Sequence, residues 1–447
     1  MDYPKLAESV VKKALQWGAD EAESFLSNSR RFEINVRNGD VETVKQSSTK
    51  GIGLTVYRDK KLGFSYTSDF SPESLDEFVK KTINLSVVAD QKPWNGLPDF
   101  GKEKQKDLDL WDASIAEIQN EKKIEIATKV EKIALSYDKR IKNSEGGGFR
   151  DSESEVIIMN SKGISRRKKT TSVGFGVAVI AGEGNNMQMG YWSSNKRHFK
   201  DLESIEDVAQ KAGKRAVEKL GARSVETQKV PVVFDRDVAP RFWRGILSAL
   251  DGDSVYKKTT FLTDSLNKSF TSELISLEDN PIILRHVGST PFDGEGKTTR
   301  QNTLIDKGVL KMFIYDSVTA RKAGIKANTM AQRRGYKSMP TASHLNIIVQ
   351  NGQTAREKIL EGIEEGFYVT GLRGSGTSVS TGNFSVGASG FWIHKGEISF
   401  PVDGVTLGGD VREILKNIEL VANDLDIRGN LNSPSFKLTE LTVGGKR

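Results

Sequence analysis

Residues 294–299, Gly-Glu-Gly-Lys-Thr-Thr, end the way a phosphate-binding loop ends, with lysine and a hydroxyl side chain after glycine. Such a loop also needs glycine five positions before Gly296, a strand before it and a helix after it. Position 291 is proline, and Thr299–Ile305 leads instead toward a hairpin at Asp306–Gly308, so nucleotide binding is not expected. The second glycine-rich loop, Gly371–Thr377, has no lysine and lacks dinucleotide spacing and context. No Gly-x-Ser-x-Gly surrounds Ser385 or Ser389, which leaves a nucleophile elbow without support. The four histidines, His198, His286, His344 and His394, are never paired one helical turn apart, and no His-Glu-x-x-His is present. With no cysteine, thiolate ligands, disulfides and cysteine nucleophiles are excluded. Two carboxylate pairs, Asp251 with Asp253 and Asp293 with Glu295, have the chemistry for a hard cation, although acidic turns on a solvated surface fit them better. The basic run Arg166–Lys169 and the pair Arg333–Arg334 sit among acidic residues with few aromatics, and read as solvated faces rather than nucleic-acid contacts.

The elements that must position these groups follow from periodicity. Residues 4–17 place Leu6, Val10, Val11, Ala14 and Leu15 on one helical face, with Gly18 as the stop. Strands are expected at Ala22–Leu26, Arg31–Val36, Val41–Gln46 and Gly51–Tyr57, with turns at Asn38-Gly39 and Asp59–Lys61. Ser71-Pro72 opens a second helix, and residues 90–108 read as a linker. The pattern then repeats, with a helix over 113–137, strands at Glu155–Asn160, Ser165–Thr171, Val173–Ala181 and Met187–Trp192, and a closing helix from Ser204 to about Lys219. KQSSTKGIGLTVYRDKKLGFSY (45–66) runs beside KKTTSVGFGVAVIAGEGNNMQMGYW (168–192), which points to an internal duplication.

Beyond Gly221–Lys229, strands are expected at Val230–Phe234, Ile282–Arg285, Arg300–Ile305, Val309–Tyr315, His344–Val349 and Ser435–Val443. Helices are expected at Val238–Leu250, Gln353–Glu365 and Val411–Ala422. The stretch 366–410 alternates β-rich runs with glycines; it fits a β-domain whose glycine-lined edge lies beside an extended chain, and equally a barrel with many tight turns. The fold expected is α+β: an N-terminal duplicated helix–β-meander–helix domain at 1–222, its units about 1–90 and 110–222, and a C-terminal β-rich domain at 223–447, barrel-like or a sandwich. No apolar run approaches the ~18–20 residues that span a bilayer. The first residues form an amphipathic helix pattern rather than a signal peptide, so a cytoplasmic address is expected. A net charge of +7 is small for 447 residues and demands no nucleic acid.

Several long motifs in the C-terminal half resemble the TldD/PmbA family, and within it the PmbA/TldE branch. They are STPFDGEGKTTRQNTLIDKGVLKMFIYD (289–316), FYVTGLRGSGTSVSTGNFSVGASGFWIHKGEISFPV (367–402), LKNIELVANDLDIRG (415–429) and NSPSFKLTELTVGG (432–445). The resemblance implies a peptidase of two kinds of chain. In the TldD branch a helix bearing His-Glu-x-x-x-His, with a later cysteine, holds the metal. Here FWRGILSALDGD (242–253) is similar to that segment, and the alignment puts Trp243, Arg244 and Ser248 at the motif positions. None of these side chains supplies an imidazole or a carboxylate base.

The resemblance therefore implies a non-catalytic subunit with no cofactor of its own, zinc being expected in a TldD-like partner. That pair would cleave unfolded proteins or peptides, with this chain adding an extended peptide to a sheet edge. The small residues Gly374, Ser375, Gly376, Thr377 and Gly382 are the candidate peptide contacts. The alternatives are a stand-alone homodimeric peptide-binding or assembly factor, or a regulator of DNA gyrase, as the family's name suggests.

Overall fold

A computed structural model of the chain describes residues 1–99 and 103–445. Helix α1 (Tyr3–Gln16) begins where the Asp2 carboxylate accepts a hydrogen bond from the Lys5 amide at 3.2 Å and Pro4 fills the first turn. A meander of β1 (Glu21–Arg37), β2 (Asp40–Arg58) and β3 (Lys61–Thr67) follows, and α2 (Pro72–Val88) closes the unit. Both hairpins turn through residues of positive φ, Asn38-Gly39 and Asp59-Lys60, the geometry that matches strand twist. The second unit repeats the order with α3 (Asn120–Ser136), β4 (Ile141–Asn160), β5 (Ser165–Ala181), β6 (Gln188–Lys196) and α4 (Ile205–Val217).

The six strands make one antiparallel sheet in the order β3-β2-β1-β4-β5-β6, so the two meanders meet back to back at β1 and β4. Even-numbered residues of β1 face the helices. Ala22 and Leu26 enter the core under α1 and α2, whereas Phe32, Ile34 and Val36 enter the core under α3 and α4. One long strand thus serves two cores, and the expected breaks inside β1 and β2 do not exist. Polar residues 27–30 interrupt the hydrophobic period, yet Ser27 to Arg30 stay paired with Gly51 to Ser48. The repeated Gly-aromatic strand also has a packing reason. A Cβ at Gly63 would come within 2.2 Å of the Thr82 carbonyl on α2, and one at Gly190 within 2.1 Å of the Ala212 carbonyl on α4. Both glycines let a helix lie directly on its sheet.

The C-terminal half opens with β7 (Gln228–Phe234), α5 (Ala239–Ala249) and α6 (Gly252–Tyr256). Next come β8 (Leu277–Asp279), β9 (Asn302–Asp306), β10 (Val309–Leu310), α7 (Ser317–Ala323), β11 (Ala331–Gln332), β12 (Thr341–Ala342) and β13 (Ile347–Val349). The chain ends with β14 (Glu365–Thr377), β15 (Asn383–His394), β16 (Glu397–Asp410), α8 (Val411–Lys416), β17 (Ile418–Val421), β18 (Leu431–Asn432) and β19 (Phe436–Gly444). Strands β16-β15-β14-β7-β19 close into a five-stranded barrel through pairing of β16 with β19, and β17 adds to the outside of β19. A second sheet runs β10-β9-β8-β13-β18. Helix α5 sets Phe242 against Phe234, Phe384 and Phe436, with ring centroids 5.3, 5.6 and 5.4 Å away.

Several expected elements differ. Gln353–Glu365 is not a helix: it holds one short turn at Arg356–Lys358, and β14 already starts at Glu365. Its helically spaced Ile359 and Ile363 are buried instead with Val233, Ile393 and Ala422. The helix expected to reach Ala422 stops at Lys416, because Ile418 and Val421 are taken into pairing with β19. Ile282–Arg285 forms no strand, and Val309–Tyr315 is a strand only at its first two residues, with Ile314 in an isolated bridge to Asp251. Helix α7 is set by a reciprocal cap between Asp316 and Thr319. The stretch read as a linker is anchored over its described residues: Leu97 and Leu108 are buried, and the carbonyl of Gly96 accepts from Arg321 at 2.6 Å. Gly101, part of that stretch, lies outside the described residues.

The sheet face opposite the helices receives the C-terminal half. Phe25, Ile158 and Ile164 pack there against Phe292 and Tyr336, and Glu23 forms a buried ion pair with Arg333.

Candidate functional site

Helix α5 carries the segment similar to the metal motif. Trp243 is fully buried, and its indole Nε1 donates to Ser433 Oγ at 3.1 Å. Arg244 and Ser248 lie on the exposed side one turn apart, with Ser248 Oγ donating to the Arg244 carbonyl at 3.1 Å. Positions five apart on a helix diverge by roughly 140°. Trp243 and Ser248 therefore point into the core and into solvent, and the three motif positions do not converge. The His344 imidazole is near enough to feel this helix, its pKa lowered by burial and then by the Arg244 charge. A guanidinium beside a neutral imidazole repels a cation, so the residues present do not fit a zinc ion. Among the described residues, no three His, Asp or Glu side chains come together in a metal-holding group.

Of the candidate peptide contacts, Gly374 to Thr377 form the end of β14 rather than a loop, only Gly382 lies in the connection to β15, and this end of the strand lies against α5. A Cβ at Gly245 would be 2.5 Å from Thr377 Oγ1, and Arg241 Nη2 donates to the Gly374 carbonyl at 3.2 Å. The fold thus joins two clusters that are far apart in sequence. Gly374, Gly376 and Gly382 all have positive φ, and the pairing register of β14 with β15 shifts between Arg373 and Gly376. Turn geometry accounts for these glycines. Gly374 is exposed with open space around it, whereas Gly382 is tied into the turn, its amide donating to the Ser378 carbonyl at 2.9 Å. Thr377 Oγ1 is buried without a hydrogen-bond partner. Ser375 belongs to β14, and its side chain lies outside the described residues.

The phosphate-loop look-alike has a different job. Asp293 Oδ1 accepts from the amides of Glu295 and Lys297 at 2.9 and 3.0 Å, which winds residues 293–297 into a tight turn at the seam between the halves. Lys297 pairs with Glu295 at 3.1 Å, and Glu295 accepts from the Ser317 amide and hydroxyl at 3.0 and 2.8 Å. Asp251 caps α6 through Ser254, and Asp253 pairs with Lys257 at 2.5 Å and Lys322 at 3.3 Å. Asp251, Asp253, Glu295 and one oxygen of Asp293 are therefore engaged inside the fold. Glu23, Asp251, Asp253, Glu295 and Asp316 nonetheless line one seam cavity of about 440 Å³.

The basic run is only half a solvated face. Strand alternation leaves Arg167 and Lys169 outward, while Arg166 and Lys168 turn toward the C-terminal half. Arg166 donates to the Gly296 carbonyl at 3.1 Å, and Lys168 donates to Thr290 Oγ1 at 2.7 Å. Arg333 is likewise buried, against Glu23, while Arg334 is exposed. Period-two spacing along β5 was the signal for this; the charged surroundings in sequence hid it.

Three family models match in order: PmbA/TldA metallopeptidase domain 1 at residues 22–86, the central domain at 113–220 and the C-terminal domain at 227–445. The metalloprotease PmbA of Escherichia coli O157:H7 is 32% identical over 449 residues, covering 99% of this chain and 97% of that protein. A PmbA homolog of Buchnera aphidicola is 33% identical, covering 95% of this chain and 93% of its own. A solved structure from Bacteroides thetaiotaomicron, named for modulation of DNA gyrase, superposes with a TM-score of 0.91 at 27% identity over 100% of both chains. TldE from Thermococcus kodakarensis shares the fold with a TM-score of 0.86 at 22% identity, over 98% of this chain and 100% of its own. With its three domain matches and full-length relatives, this chain belongs to the PmbA/TldD family.

Proposed function

We propose that this chain is the non-catalytic subunit of a two-chain peptidase, paired with a TldD-like subunit that holds zinc, and that the pair cleaves unfolded proteins or peptides. One observation carries the reading: of the three motif positions on this helix, Trp243 is buried and Arg244 and Ser248 face outward, so none offers a metal ligand. The exposed Gly374 beside that helix is the proposed peptide contact, since strand addition needs backbone access rather than a particular side chain. The absence from the described residues of any helix long and apolar enough to cross a membrane is compatible with this role. The test purifies the chain alone, then mixes it with a TldD-like subunit and assays an unstructured peptide. Activity is expected only from the mixed dimer. Full chelator-sensitive activity from the lone chain would overturn the proposal, and failure to form a mixed dimer would favour a stand-alone peptide-binding role.

A further inference from the structure

A second cavity at the seam, of about 290 Å³, lies between β5 and residues 287–294. Two cations on its wall have no carboxylate partner among the described residues. Lys168 donates to Thr290 Oγ1 at 2.7 Å and stands 5.0 Å from the Phe292 ring centroid, leaving hydrogen-bonding capacity on its ammonium unfilled. Arg197 meets only backbone carbonyls, those of Thr171 at 2.9 Å, Val287 at 2.6 Å and His286 at 3.5 Å. Ser289, 3% exposed, lines the same cavity with a hydroxyl that has no hydrogen-bond partner. A buried charge without a counterion is costly, and so is an unpaired buried hydroxyl. An anion in the cavity would satisfy all three groups. The third cation, Arg333, is already neutralised by Glu23.

We propose that this cavity binds a small oxyanion, a carboxylate or a phosphate, through Lys168, Arg197 and Ser289. Asp293 also lines the wall, with Oδ1 held by two amides and Oδ2 unpartnered. Burial, then the Glu295 charge, pushes it up to about 7, while Lys297 on its own loop pulls the other way. Its protonated form presents a donor at Oδ2. Lys168, facing it from β5, is lowered to about 8 by burial and by the Arg197 charge, which outweigh the opposing Asp293 charge. Both titrations weaken anion binding as pH rises from 6 to 9. The inference does not depend on the subunit partnership above.

The test uses the full chain alone, by calorimetry and thermal melting, with N-acetyl-dialanine, its C-terminal amide and inorganic phosphate at pH 6.5 and pH 9. Binding of the carboxylate or of phosphate is expected, several-fold tighter at pH 6.5, with none for the amide; whichever anion binds identifies the source. Lys168→Met is expected to weaken binding at least tenfold yet to melt at or above the parent's temperature, because it removes an uncompensated buried charge. Ser289→Ala, which takes away an already unpartnered hydroxyl, is expected to weaken binding several-fold with little change in melting. Binding of the amide as tightly as the acid, undiminished binding by Lys168→Met, or no binding of either anion would each overturn the assignment.

Discussion

Trp243 is built into the core as well as lacking an imidazole. Its side chain is fully buried, hydrogen-bonded to Ser433 and packed edge-on against Phe242 at 5.5 Å, so position 243 belongs to the barrel's aromatic core. Replacing a ring of this size with a smaller polar one leaves a void and places a polar group against Phe242 and Phe436. Trp243→His is expected to cost about 3 kcal/mol or more, as large-to-small core changes do. Combining it with Arg244→Glu and Ser248→His is expected to give no stoichiometric zinc, since 243 and 248 point apart. Denaturant unfolding checks the first claim and metal analysis after dialysis the second. One zinc per chain in the triple variant would show that α5 can rotate to gather the three positions.

At the level of elements, the repeated units rest on helices lying directly on strands that carry glycine at the crossing. Gly190→Ala would drive a methyl group to about 2.1 Å from the Ala212 carbonyl, which is backbone and cannot swing away. Overpacking of this kind is expected to cost about 1–3 kcal/mol, with α4 lifting from β6. Gly429→Ala, where the nearest atom would be 4.0 Å away, serves as the control and is expected to shift stability by less than about 0.5 kcal/mol. Equal melting of the two variants would show that the helix adjusts freely. The same glycine was visible in the sequence, within the match between 45–66 and 168–192, and the N-terminal helices, hairpins and duplication followed from local chemistry in the same way. What stayed hidden was whatever distant partners decide. The helical spacing of Ile359 and Ile363 gave way to burial against Val233 and Ile393, and the polar middle of β1 was held in the sheet by its neighbours. The candidate site divides along the same line. The helix that carries Trp243, Arg244 and Ser248 was legible because its spacing is local, whereas Lys168, Arg197 and Ser289 come from three segments that only the fold brings to one cavity.

For the molecule as a whole, the decisive joint is the seam where the C-terminal half sits on the bare face of the N-terminal sheet. Its apolar contact is small, Phe25, Ile158 and Ile164 against Phe292 and Tyr336, and beside it the Glu23–Arg333 pair is almost fully buried at 2.5 Å. Arg333 also spans the joint by stacking 4.6 Å over Phe25 and donating to the Gly294 carbonyl at 3.1 Å. Burial raises the Glu23 pKa although Arg333 opposes the shift. A carboxyl raised in the folded state contributes stability that is full below its unfolded pKa and is lost as pH climbs through the folded value. Arg333→Met removes the opposing charge, so its penalty is expected to be slight near pH 4 and to grow to about 3–5 kcal/mol by pH 7.5. Adding Glu23→Gln is expected to restore most of that loss, because the double variant leaves no uncompensated charge at the joint. Unfolding curves at the two pH values measure the cycle, and the single variant at pH 7.5 is expected to melt in two steps as the halves lose their coupling. A penalty for Arg333→Met that is equal at pH 4 and pH 7.5, and that Glu23→Gln does not relieve, would mean that stacking on Phe25 holds the halves together and the ion pair does not.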